Sequence, residues 1–214
     1  MDQLIQAIVM GLVQGLTEFL PVSSSGHLII VPALMGWDDP FIDSLAFSVM
    51  LHLGTLIALL AFFRAEWFRL VPAWFASIRD RSIGGDPDRR LAWLLALSTI
   101  PAVIVGLLLN DLIETAFREV RLVAVTLVVG AAILWLAERV GTRSRGIAEL
   151  STRGALGIGV AQALALVPGI SRSGISISAG LFAGLDREAA ARFSFLMATP
   201  ITAGDISYTI VGIS

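Results

Sequence analysis

Gln14, Thr17, Glu18, Ser23, Ser24, Ser25 and His27 lie close together near the start of this 214-residue chain, and Ser171, Arg172, Ser173 and Ser176 form a second polar group near its end. Both groups interrupt apolar sequence. A carboxylate, an imidazole, a guanidinium and several hydroxyls suit the handling of phosphate. Gln14 and Glu18 are four apart, so on a helix they share one face. A carboxylate at membrane depth costs about 2.5–3.5 kcal/mol on insertion scales and needs a partner, a metal or water. Glu18 is therefore a candidate general base, or with Gln14 a candidate ligand for a hard divalent cation, Mg2+ or Ca2+. Ser24 and His27 are candidate nucleophile or partner, and a metal-activated water is the third option. Arg172 offers a planar fork for bidentate contact with phosphate, flanked by Ser171 and Ser173 with Ser176 beyond, while Gly169 and Gly174 permit close backbone approach. The plainer alternative makes Arg172 a salt-bridge partner of Glu18 that only locks two halves together.

The elements that must position these groups belong to a bilayer. Hydrophobic residues make up 56% of the chain and charged residues 15%, and apolar segments recur at about 4–20, 28–36, 45–63, 91–109, 121–138, 154–167, 175–184 and 193–213. About 20 helical residues span the ~30 Å hydrocarbon core, so 45–63, 91–109, 121–138 and 193–213 are predicted to cross. Backbone that leaves a helix inside hydrocarbon is tolerated only where protein or a wet cavity encloses it. The pairs 4–20 with 28–36, and 154–167 with 175–184, are therefore read as two re-entrant hairpins whose short second helices aim their N-terminal amides at a bound anion. Met1-Asp2-Gln3 lacks the basic region of a secretory signal, so the first apolar stretch is read as mature structure. Cysteine is absent, which excludes disulfides and thiolate metal sites, and nothing in the charge pattern suggests a nucleic-acid partner.

Every basic residue is arginine. Six lie in the 64–90 connection and four in 139–153, which the positive-inside rule makes cytoplasmic, whereas 110–120 holds only Arg118. The first hairpin then opens to the outer face. Asp86-Pro87-Asp88 suggests a solvated loop over 80–90. A shift of 148 residues lays Gly11 on Gly159, Gln14 on Gln162, and Ser23-Ser24-Ser25-Gly26 on Ser171-Arg172-Ser173-Gly174, and a shift of 146 lays Phe47-Ser48 on Phe193-Ser194. Three crossings separate the copies, so the repeat is predicted to be inverted, with its broken helices meeting near the midplane. The reading is thus one all-α polytopic membrane domain over 1–214, with repeat 1 at about 1–138 and repeat 2 at about 150–214. Repeat 2 lacks counterparts of 91–109 and 121–138, so the chain is expected to be a fragment or a short form with one flank exposed to lipid. Membrane lipids and a second copy of the chain are the partners such a flank would take. Gly11, Gly15, Gly157 and Gly159 are expected at close helix contacts.

The run from Gln14 to His27 resembles the (Glu/Gln)-x-x-x-Glu signature and Ser-rich loop of the undecaprenyl pyrophosphate phosphatase family, also known for bacitracin resistance. Pro168 to Ser176 is similar to that family's Pro-Gly-x-Ser-Arg-Ser-x-x-Thr, followed by Phe193-Ser194-Phe195-Leu196. The resemblance runs over the whole chain. It implies hydrolysis of a polyprenyl diphosphate lipid, undecaprenyl diphosphate, to the monophosphate carrier at the outer face of a bacterial inner membrane, in support of peptidoglycan synthesis. Glu18, Ser24, His27 and Arg172 would then be catalytic, and Ser23, Ser25, Gly26, Gly169, Ser171, Ser173, Gly174 and Ser176 would contact substrate. Position 14 is Gln where many members carry Glu, Ser176 stands where the pattern has Thr, and members continue with further membrane helices. A flippase or transporter is the competing class, because inverted repeats with broken helices also build transport sites.

Overall fold

The computed structural model describes residues 3–116 and 119–213, which exclude Arg118. The chain is helical, and among the described residues no strand forms beyond one isolated bridge between Arg145 and Leu185. Among the described residues nine α-helices follow in order: α1 Gln3–Phe19, α2 Ser24–Met35, α3 Leu45–Phe62, α4 Arg64–Arg79, α5 Pro87–Ala116, α6 Val120–Val140, α7 Thr152–Ala163, α8 Arg172–Phe182 and α9 Arg187–Ile213. Helices α3, α5 and α6 are long and apolar enough to cross a membrane. Their large apolar side chains, among them Ile57, Leu107, Leu108 and Val128, point outward rather than into a core. This is the inverse of a water-soluble surface and marks a multi-pass membrane protein.

Two sequence expectations change here. The segment 193–213 lies inside α9, which is long enough to cross but more polar than the other three. Its Ser194, Thr199 and Thr202 are buried against neighbouring helices, so the helix spends its polarity inside the protein. The arginine-rich connection is also not a loop throughout. Residues 64–79 form α4, and Asp86 opens α5 by accepting the Asp88 and Arg89 amides at 2.9 and 3.3 Å, with Pro87 at the first helical position. Asp86-Pro87-Asp88 is a helix start, leaving 80–86 as the loop.

Most of the arginines collect at one end of the molecule. Arg192 reaches Glu66 at 2.8 Å, Arg187 grips Glu138 with contacts of 2.6–3.1 Å, and Arg90 donates to the carbonyls of Ala148 and Leu150. Helix α7 starts at this end, and α8 returns to it, where the Gly184 carbonyl accepts the Ser144 and Arg145 amides. Helix α1 starts at the other end, where Gln3 donates to Asp39 at 3.1 Å in the connection that leads into α3. The turns joining α1 to α2 and α7 to α8 touch inside the molecule, where the Ser173 hydroxyl donates to the Leu20 carbonyl at 3.2 Å.

Helix α8 is the most enclosed element, burying Ser173, Gly174, Ile175, Ser176, Ser178, Gly180 and Leu181. It packs on α6, α7 and α9 around a core that includes Phe193, Leu196 and Met197. Of the glycines expected at close contacts, Gly159 fits: a Cβ there would fall 2.2 Å from the Ser98 carbonyl oxygen of α5. Gly15 and Gly157 have open space, and Gly11 meets only Leu51 at ordinary distance. The 167–171 turn is fixed more tightly still. Gly169 has φ +92°, and a Cβ would sit 2.0 Å from the Thr126 hydroxyl of α6, which donates to the Pro168 carbonyl at 2.6 Å. Gly169→Ala is expected to destabilise the fold by about 3 kcal/mol or more, combining left-handed strain with overpacking, read as a lowered melting temperature in detergent.

Candidate active site

Two serines cap the two short inner helices with matching side-chain bonds, although Ser23 has φ +67° and Ser171 φ -64°. Ser23 Oγ accepts the Gly26 amide at 3.2 Å and pairs with Ser25 Oγ at 3.2 Å, while Ser171 Oγ accepts the Gly174 amide at 3.0 Å and pairs with Ser173 Oγ at 3.1 Å. Each N-cap satisfies one amide, and the other amides at the start of the first turn have no acceptor within their own helix. Ser24 and Arg172 are therefore the first residues of α2 and α8, four and three positions ahead of the starts near 28 and 175 expected from sequence. Both side chains sit at a helix N-terminus, where the helix dipole favours negative charge.

Glu18, on the last turn of α1, is the hub. Its Oε2 accepts the Ser24 hydroxyl in a short hydrogen bond and the Gln14 amide at 3.3 Å, and its Oε1 lies 3.5 Å from Arg172 Nη2. The salt bridge foreseen as the plainer alternative is thus present, together with the serine contact that it leaves unexplained. Gln14 is anchored from behind by Thr55 of α3, with contacts of 2.9 and 3.1 Å. Arg172 donates its other terminal nitrogen to Thr202 of α9 at 3.0 Å. Glu18 and Arg172, flanked by Phe19, Leu59, Ser173, Ser194, Phe195 and Ala198, enclose a cavity of about 10 Å3, room for a single water.

Other expected residues fall nearby in different roles. His27 lies in the first turn of α2, where its Nδ1 meets the Ser23 carbonyl at 2.8 Å, and it is not among the groups around Glu18. The histidine that reaches Glu18 is His52 of α3, with Nε2 3.9 Å from Oε2 and Nδ1 held at 2.8 Å by the Ser48 carbonyl. Ser176 turns to the back of the site, bonded to Ser194 Oγ at 2.6 Å and to the Arg172 carbonyl at 2.7 Å. Thr17 donates back to Val13 of its own helix and does not join the cluster. A Cβ on Gly174 would meet Ser171 Cβ at 2.9 Å and the Pro21 carbonyl at 3.3 Å, and one on Gly26 would meet Leu127 at 3.1 Å, so both glycines let the turns close on each other and on α6.

Known proteins are similar to this chain over most of its length. The family described as bacitracin resistance protein BacA matches residues 7–213. This chain belongs to the BacA family. Among curated members, the undecaprenyl-diphosphatase of Gemmatimonas aurantiaca is 51% identical over 197 residues, covering 92% of this chain and 72% of that protein. The undecaprenyl-diphosphatase of Rubrobacter xylanophilus is 50% identical over 206 residues, with 95% and 75% covered, and undecaprenyl-diphosphatase 1 of Pseudoalteromonas translucida is 47% identical over 198, with 92% and 73% covered. The BacA match includes all of the residues around Glu18.

Proposed function

We propose that this chain hydrolyses undecaprenyl diphosphate to undecaprenyl phosphate and inorganic phosphate, returning the lipid carrier to peptidoglycan synthesis. One observation carries the chemistry: the Glu18 carboxylate holds a serine hydroxyl from one helix start and a guanidinium from another. Ser24 Oγ attacks the terminal phosphorus while Glu18 takes its proton, and the bond to the bridging oxygen breaks to release undecaprenyl phosphate. Arg172 and the free amides of α2 and α8 neutralise charge on the equatorial oxygens, the main demand of phosphoryl transfer. Water then attacks the phosphoserine: Glu18 returns its proton to Ser24 as the Oγ–P bond breaks, takes up the proton that water loses and passes it to solvent, and phosphate departs. His27, whose Nδ1 donates to the Ser23 carbonyl and which lies outside the cluster around Glu18, takes no proton-transfer step in this reading.

A divalent cation fits this reading in one form. No group of three or more His, Cys, Asp or Glu comes together among the described residues, so the protein alone does not close a metal cage. Glu18 would hold Mg2+ or Ca2+ jointly with the diphosphate, as hard cations bound by one carboxylate and substrate oxygens commonly are. Such an ion would supply charge neutralisation at the phosphates. Gln14 joins only by turning its Oε1, now on Thr55, toward Glu18. Glu18→Gln is expected to cut kcat by about 10²–10⁴, whereas Gln14→Glu keeps turnover and lowers the Mg2+ concentration giving half-maximal rate. Equal losses from both, with unchanged metal dependence, would reduce the pair to packing.

The positions of the helix ends support an inverted repeat. One hairpin, α1 with α2, comes from the Asp39 end and the other, α7 with α8, from the arginine end, each re-entrant, with their turns meeting at Ser173 and Leu20. The arginine end lies in the cytoplasm of a bacterial inner membrane, and the site opens to the outer face. Phosphate release from undecaprenyl diphosphate by the purified chain in detergent tests the function. Detergent removes the compartments that transport needs, so a flippase alone would release none.

A further inference from the structure

Helix α3 serves Glu18 at two heights. Thr55 holds Gln14 with contacts of 2.9 and 3.1 Å, and Gln14 in turn donates to Glu18 Oε2. One turn nearer the Asp39 end, His52 brings its Nε2 to 3.9 Å from the same oxygen, with its side chain only 14% exposed. The two helices are held in register beside them: Met10 of α1 and Phe47 of α3 are buried in one apolar cluster against which Leu51 packs, and Ser44 caps α3 by accepting the Phe47 amide at 3.1 Å. The reaction as derived above gives this histidine no task.

The bonds of the ring say which nitrogen is bare. Nδ1 lies 2.8 Å from the Ser48 carbonyl one turn back on α3, and a carbonyl only accepts, so Nδ1 carries the ring proton and neutral His52 faces Glu18 with the lone pair of Nε2. The carboxylate is an acceptor too. With no proton between them the two atoms have no bond to draw them together, and 3.9 Å is beyond hydrogen-bond length. Protonation of Glu18 reverses this. Both steps of the hydrolysis pass through Glu18 carrying a proton, first from Ser24 and then from water, and a protonated carboxyl must donate. Among the described residues, the Gln14 amide nitrogen and the Arg172 guanidinium that reach its oxygens are themselves donors, and Ser24 Oγ is tied to phosphorus for the life of the phosphoserine. Nε2 of His52 is the acceptor left, and a buried donor without one is costly.

Resting on the function proposed above, we propose that His52 is a positioning residue whose bare Nε2 accepts the hydrogen bond of the protonated Glu18 carboxyl and so stabilises the state in which Glu18 holds the proton of Ser24 or of water. The proton itself stays on Glu18. Phosphate release from undecaprenyl diphosphate by the purified chain in detergent tests it. His52→Leu removes the acceptor and is expected to lower kcat about 10- to 100-fold with KM changed less than about threefold, because the bond forms only after Glu18 is protonated. His52→Ala repeats the comparison if the leucine variant does not fold. His52→Gln, whose Oε1 accepts in place of Nε2, is expected to stay within about fivefold of wild type. Both Leu and Gln give up the bond to Ser48, so a histidine that only braces α3 would lose as much with either, and that result overturns the proposal. In a Glu18→Gln background, which has no carboxyl to protonate, His52→Leu is expected to cost less than about twofold more; the full loss repeated there also overturns it. If the wild type releases no phosphate, the function itself fails; if it does and the variants depart from these outcomes, only the role of His52 falls.

Discussion

Ser24→Ala is expected to lower kcat by about 10⁴ or more, to the residual rate that Arg172 and the helix amides sustain without a nucleophile. The fold should survive, because the Ser24 side chain only donates to Glu18, whereas the N-cap of α2 is Ser23. KM should change little, since the hydroxyl gains its bond to phosphorus only in the transition state. A loss of less than about tenfold, measured as phosphate release at saturating substrate, would move the nucleophile elsewhere.

Arg172→Lys is expected to cut kcat by about 10³, the scale on which phosphoryl-transfer enzymes lose rate without their arginine. An ammonium keeps the charge but cannot replace a fork that spans Thr202 on one side and Glu18 or phosphate on the other. Thr202→Val serves as the control. It removes only the anchor and should cost about tenfold or less, with thermal stability of both variants followed alongside. Near-normal turnover by Arg172→Lys would confine Arg172 to locking the two hairpins together.

The two polar turns were legible because Ser-rich sequence inside apolar runs has few explanations in a bilayer. The shift of 148 residues reappears as matching pairs of serine bonds at Ser23 and Ser171. His52 was not found, although Ser48, His52 and Thr55 fall at i, i+4 and i+7 and form one polar stripe on a spanning helix. That spacing is the signal that would have exposed it, since an ionisable side chain within such a helix is rarely idle. His27 neighbours the serines in sequence, yet its place in the first turn of α2 leaves it outside the cluster around Glu18. Helix α4 was hidden by Pro72 and its arginines, which break the apolar run without breaking the helix. Its Trp67 and Trp74, seven apart on one face, were the trace it left.

Trapping the phosphorylated intermediate tests the central claim most directly. The purified chain is mixed with undecaprenyl diphosphate labelled in its terminal phosphate, quenched within a turnover, and digested for mapping. Label on Ser24 that appears in the wild-type protein, clears with added time, and is absent from Ser24→Ala is the predicted result; label on His27, or phosphate release with no protein-bound label at any time, would contradict it.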